Sequence, residues 1–137
     1  MKKTGLVFLA LMVLVCYAVK DSEAAQWCWQ FADDPNFYLR LSVVRSDPNY
    51  PFWSLNGMWY SDFSIMPLVG TMAKSSDGTG RILTLFGTAG SGFPQSFRGE
   101  IDAVTKDGSL YFYDFNAGTT GLLSDLTKVK CSTLPAP

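Results

Sequence analysis

From Gln26 onward the chain alternates apolar and polar residues with a period of two, and turn-forming residues interrupt the alternation at short intervals. Phe37, Leu39, Leu41 and Val43 alternate with Tyr38, Arg40, Ser42 and Val44, the pattern of a strand with one face in a core. Ser46-Asp47-Pro48-Asn49 ends that run with turn chemistry. Pro51 to Tyr60 follows, with Trp53, Leu55, Gly57 and Trp59 on one face. Met66 to Lys74 comes next and stops at Ser75-Ser76-Asp77-Gly78, a strong hairpin signal. Gly80 to Ala89 is apolar on both faces, and Gly90-Ser91-Gly92 turns. Gln95 to Thr105 puts Phe97, Gly99, Ile101 and Ala103 inward and Arg98, Glu100 and Asp102 outward. Lys106-Asp107-Gly108-Ser109 is a second hairpin, Leu110 to Phe115 is aromatic, and Thr120 to Cys131 closes the pattern.

With Trp27 to Phe31 included, these segments predict about eight strands joined by mostly short links, and no helix after the first two dozen residues. Such spacing implies an all-β antiparallel up-and-down meander. Closure into a small barrel removes both sheet edges, so a closed or nearly closed barrel is the expected architecture. A two-sheet β-sandwich is the alternative.

The beginning of the chain reads differently. Lys2 and Lys3 precede an apolar stretch from Leu6 to Val19, shorter than the roughly 20 residues a membrane-spanning helix needs. Ser22-Glu23-Ala24 then fits a small-x-small cleavage site. The expected organisation is a signal peptide over 1–24, one domain over 25–132 and a flexible tail over 133–137, with cleavage after Ala18 or Ala25 as variants. Export places the mature chain in the periplasm or outside the cell, with no stable membrane span once the signal is gone. Lipid anchoring through Cys16 is disfavoured, because Val15 occupies the site where a small residue normally precedes the lipidated cysteine. Removal of the leader leaves Cys28 and Cys131, and two cysteines in an exported chain point to a disulfide. It would close a loop of about a hundred residues and stabilise by about 4–5 kcal/mol on the chain-entropy model.

Gly57-Met58-Trp59-Tyr60 resembles the Gly-x-Trp-Tyr signature of the lipocalins and their calycin relatives. In that family the glycine lets two backbones approach closely and the tryptophan plugs one end of the barrel. The motif here falls in the third candidate strand, whereas lipocalins carry it in the first. Lys128 and Lys130 stand where the family commonly sets an arginine against that tryptophan. The resemblance implies a lipocalin-like or avidin-like small barrel, and it carries over no ligand.

Chemistry narrows the functional classes. The chain has no histidine, so the commonest general base and the commonest metal ligand are both absent. A formal charge of −1 and the lack of a basic run give no footprint for nucleic acid. No metal or cofactor motif appears. Asp33-Asp34-Pro35-Asn36 lacks the ligand spacing of a calcium loop and reads as a turn. Glu100 and Asp102, on one strand face, are the best-spaced carboxylate pair for a hydrolase, but Arg98 beside them marks a solvated face.

The aromatic residues carry more information. Trp53, Trp59, Phe86, Phe97, Tyr111, Phe112 and Tyr113 exceed what the inward faces of their strands can hold, since Tyr111-Phe112-Tyr113 sets rings on both faces. Phe86, Phe97, Phe112 and Trp59 are the candidates for lining a lumen; the remaining rings are candidates for contact with a partner. The expected function is therefore non-catalytic binding of a small apolar or glycan ligand. A structural or interaction protein of the cell surface, self-associating through an exposed aromatic face, is the alternative, and a carboxylate hydrolase comes third.

Overall fold

Eight alternating runs become eight strands, and each pairs with the next because a short turn joins them. The computed structural model describes residues 24–136 except 46, 48, 89–91, 93 and 115–117. The expected leader up to residue 23, with Cys16, and the rings of Phe93 and Phe115 lie outside the described residues. The strands are β1 (Ala25–Phe31), β2 (Tyr38–Val44), β3 (Phe52–Tyr60), β4 (Ile65–Lys74), β5 (Gly80–Thr88), β6 (Pro94–Asp102), β7 (Gly108–Asp114) and β8 (Thr119–Val129). All neighbours are antiparallel and β8 returns to pair with β1, so the sheet is a closed barrel and not a sandwich. Among the described residues no helix is long and apolar enough to cross a membrane.

Two turns show how local chemistry sets the strand ends. In the β4–β5 hairpin, Gly78 takes the left-handed conformation, with φ of 74°, and donates its N–H to the Ser75 carbonyl. Between β6 and β7, the Asp102 carboxylate accepts the N–H groups of Val104 and Thr105 at 2.7 and 2.8 Å. That side-chain capture ends β6 at Asp102, so Ala103 to Thr105, expected to continue the strand, form the turn instead. Gly108 and Ser109, expected in the turn, begin β7.

The pairing is strongly staggered. Following it from Phe31 leads to Leu126, Gly108, Ile101, Arg81 and finally Lys74, from the last residue of β1 to the last of β4. This stagger is what closing a small number of tilted strands requires. Closely approaching strands leave no room for some inward side chains. A Cβ on Gly57 would run into the carbonyl oxygen of Arg40 and come within 2.8 Å of the Leu41 Cα. Gly70 meets the Thr84 carbonyl in the same way.

Inward side chains fill the lumen. Trp29, Leu39, Leu41, Met72, Leu83, Leu85 and Leu110 have no accessible surface, so no water-sized void opens against them. The Trp29 indole crosses to the β6–β7 turn and donates Nε1–H to the Lys106 carbonyl at 2.7 Å. Lys106 adopts φ of 69° to present that oxygen.

Cys28 and Cys131 are joined in a disulfide, with Cα atoms 5.2 Å apart and a separation of 103 positions in sequence. Cys131 opens a single 3-10 turn, Cys131–Thr133, just beyond β8. Beyond it, Arg40 donates from Nη2 to the Pro135 carbonyl at 3.0 Å, and Leu134 N–H reaches Cys131 O.

Two predictions follow from closure and close approach. Gly57→Ala destabilises by about 3 kcal/mol, the upper end of overpacking costs, whereas Gly121→Ala, with open space around it, shifts stability by less than about 0.5 kcal/mol. Urea unfolding of the two variants distinguishes these. Replacing both Cys28 and Cys131 with alanine lowers the unfolding free energy by about 4–5 kcal/mol. A urea midpoint that does not move on reduction of the wild type would contradict it.

Candidate functional site

The two ends of the barrel differ chemically. At the upper end, where odd-numbered strands finish, Phe31 packs edge-on to Trp59 at 5.0 Å and Trp59 lies 5.1 Å from Phe97. Phe37 adds a ring 6.0 Å from Phe31. These rings stop that end with hydrocarbon. The acidic residues of the neighbouring loops, Asp33, Asp34 and Asp62, surround it.

The lower end, where odd-numbered strands begin, holds the other three tryptophans together with cations. Arg81 sits at an inward position of β5, two residues before Leu83 and four before Leu85, both fully buried. Its guanidinium lies 4.9 Å from the centroid of Trp27 and 4.8 Å from that of Trp53. The stack is held from both sides. Trp27 leans edge-on against Trp29 at 5.7 Å, and Arg45 approaches Trp53 at 5.7 Å. Lys128 lies 5.6 Å from Trp29 and donates its ammonium to the Val129 carbonyl. Burial pushes the Arg81 and Lys128 pKa values below their usual range, as expected for cations moved partly out of water. Cation–π attraction offsets part of that cost.

Beside this mouth, between the β4–β5 hairpin and β6, lies an open cleft of about 340 Å³ lined by residues that include Ser75, Asp77, Thr79, Glu100 and Asp102. Its carboxylates are engaged. Asp77 accepts from the Ser75 and Thr79 hydroxyls and the Thr79 N–H, at 2.5, 2.8 and 3.0 Å. These bonds, the Ser75 hydroxyl foremost, bring its pKa down to about 2. Asp102 is held low chiefly by the N–H groups of Thr105 and Val104. Glu100 pairs with Arg98 at 3.1 Å, on the solvated face that the alternation implies. The candidate hydrolase pair is thus occupied by a turn and an ion pair. Asp34 likewise accepts the Asn36 N–H in a turn. Among the described residues no three His, Cys, Asp or Glu side chains converge as a metal site.

The expected aromatic candidates do not form one site. Trp53 lines the lower mouth, while Trp59 and Phe97 plug the upper end. Phe112 pairs with Phe97 in register and is 39 % exposed near that end. Phe86, expected to line the lumen, is instead 51 % exposed on the outer face. The reason is register: Leu83, Leu85 and Gly87 take the inward positions of β5, which leaves Phe86 outside. There it borders a groove of about 330 Å³ with Pro67, Val69 and Pro94. Tyr111 and Tyr113 are also outward, opposite Arg98 and Ser96.

Trp27, Arg45, Lys74 and Arg81 are the members of the lower mouth that sequence reasoning overlooked. One signal was available: Arg81 is the only charged residue between Gly80 and Ala89, and it falls in step with Leu83 and Leu85. The chain matches no protein-family model, no curated protein and no solved structure.

The hairpin bordering the cleft has a pH signature. Because the folded pKa of Asp77 lies below the ordinary 3.8, its contribution to stability is complete above that value and is lost as pH falls through about 2. Asp77→Asn therefore unfolds at lower urea than wild type at pH 6, and the gap narrows steadily between pH 4 and pH 2. Paired urea titrations across that range provide the check.

Proposed function

We propose that this is an exported, non-catalytic binding module of lipocalin-like build that takes a saccharide at the lower mouth of its barrel. The observation that carries the reading is Arg81, an inward-facing guanidinium stacked between Trp27 and Trp53 at an open rim. A sugar ring has an apolar C–H face and a hydroxyl edge, and the lower end offers counterparts to both. Tyr50 and Phe52, 62 % and 57 % exposed, add two solvent-facing rings at the start of β3, beside Trp53 in the chain. Ser75, Thr79 and Asp77 supply hydroxyl and carboxylate groups on the adjoining cleft. An enclosed apolar ligand is the weaker choice, because such ligands need a cavity and the middle of this lumen is packed.

Export is supported by the leader pattern of the first 24 residues and by the disulfide, which persists in oxidising compartments. The lipocalin-like component is supported by Gly57, which lets β2 and β3 approach, and by Trp59, which plugs one end. Lys128 departs from the family arrangement, since it lies on Trp29 and not on Trp59. The non-catalytic component is supported by the engagement of Glu100 and Asp102 and by a chain without histidine.

Trp27 and Trp53 make intrinsic fluorescence the natural test. Titration with oligosaccharides shifts or quenches the emission, and Trp53→Ala weakens binding roughly five- to tenfold, the loss of about 1 kcal/mol of ring contact. Emission that stays flat across neutral and charged oligosaccharides overturns the proposal.

A further inference from the structure

We infer that the ligand of the lower mouth is an acidic saccharide, and that Arg81 receives its carboxylate. The inference rests on the binding reading above and adds the charge of the ligand to it.

Three observations converge. The first is the state of Arg81 itself. Its guanidinium carbon lies over both indoles, 4.9 Å from the centroid of Trp27 and 4.8 Å from that of Trp53, and an indole π face offers its N–H groups no acceptor of the carboxylate kind. Among the described residues no hydrogen bond or ion pair engages those donors, and the ion pair formed elsewhere is Arg98 with Glu100. A guanidinium held between two rings, with no carboxylate partner among the described residues, suits a carboxylate, which it binds through two parallel hydrogen bonds. Its lowered pKa agrees with a charge held partly out of water with no counter-ion.

The second is the neighbour. Lys74 is the direct cross-strand partner of Arg81, on the same inward row. Like charges placed opposite each other on one sheet face destabilise it, and a bound anion reverses the sign of that interaction. Arg45, on Trp53, brings a third cation to the same rim. This gathering does not reflect a basic protein, since the chain as a whole is at −1.

The third is where the nearby acids are. Glu100 and Asp102 line one cleft with Arg81, but Glu100 is paired with Arg98 and Asp102 with its own turn on the outward face of β6, whereas Arg81 stands on the inward row of β5. Asp77 is bound to its own hairpin. Asp107 accepts the Lys128 backbone N–H at 2.7 Å. Two of the other lysines of this end are also occupied: Lys106 donates to the Ala103 carbonyl and Lys128 to that of Val129, while Lys130 is exposed just past β8. What remains at the mouth is Arg81 between the two indoles, with Lys74 opposite it in register.

The test uses the exported chain with oligomers of glucuronate and of galacturonate, each beside the neutral hexose oligomer of the same linkage, followed by tryptophan emission and calorimetry. The expected result is binding of at least one uronate oligomer about tenfold or more tighter than its neutral counterpart, the scale of a charge-assisted bidentate contact. That preference shrinks in 0.5 M salt and disappears in Arg81→Gln. In Lys74→Gln, which leaves the indole stack in place, the preference falls without vanishing. Equal affinity for charged and neutral oligomers overturns the inference while leaving the saccharide reading intact. Binding of neither overturns both. A preference that survives Arg81→Gln at full strength, in a variant with wild-type melting behaviour, overturns the assignment of the carboxylate to Arg81.

Discussion

Everything in this molecule depends on the first strand meeting the last. β1 and β8 pair only from Cys28 to Phe31, a shorter seam than those between most other neighbours, and that seam alone converts an open meander into a barrel without edges. An open sheet of the same strands would expose two unpaired edges, and its inward face would have nothing to pack against. The short seam is reinforced at both levels available to the chain. Covalently, Cys28 lies inside it and is joined to Cys131 just past its end. Non-covalently, Trp29 lies beside Cys28 and donates its indole N–H to the Lys106 carbonyl in the β6–β7 turn, which is itself bonded to Lys128 of β8 through Asp107. One dipeptide thus ties the seam to the C-terminal turn on one side and to the β6–β7 turn on the other.

Closure with a small number of strands has a consequence for function. The lumen is narrow enough for side chains to fill, and here they do, from Trp29 through Leu39, Leu41, Met72, Leu83 and Leu85. The open clefts lie instead at one end and on the outer face. The ends are not equivalent. Phe31, Trp59 and Phe97 close one with hydrocarbon, and the other collects Trp27, Trp53, Arg45, Arg81 and Lys128. An apolar plug needs no further partner. A stack of indoles and guanidinium leaves donors open at its edge, so the second end is the one with unspent interactions.

Much of this architecture was legible along the chain. The alternation of Phe97, Gly99 and Ile101 with Arg98 and Glu100 placed the faces of β6 correctly, because a period of two has only one solution once one face is buried. Ser75 to Gly78 announced its hairpin through Gly78, whose positive φ most other residues avoid. The disulfide followed from compartment and count. What the alternation could not convey was register around the barrel. In the apolar run from Ile82 to Phe86 both faces look alike, so the outward position of Phe86 is set only by which neighbours β4 and β6 supply. The end of β6 was misread for a related reason: Asp102 fits an outward strand position, and only its bonds to Val104 and Thr105 turn the chain there. The site was harder still, since Trp27, Trp53 and Arg81 come from three strands and meet only after closure.

Arg81 nevertheless broke a local rule in plain view. A long apolar residue at that position would continue the row of Leu83 and Leu85 and complete the core at that end. The guanidinium instead carries a desolvation cost that the indoles offset only in part, since a π face attracts charge but accepts no N–H hydrogen bond as a carboxylate does. Sequences that specify a fold keep pattern, packing and polar satisfaction in agreement, and departures concentrate where the molecule does something besides fold. On the proposed reading, the incompletely satisfied cation is what recognition at the lower mouth uses, and the closed barrel supplies the rigidity that keeps it open until a ligand arrives.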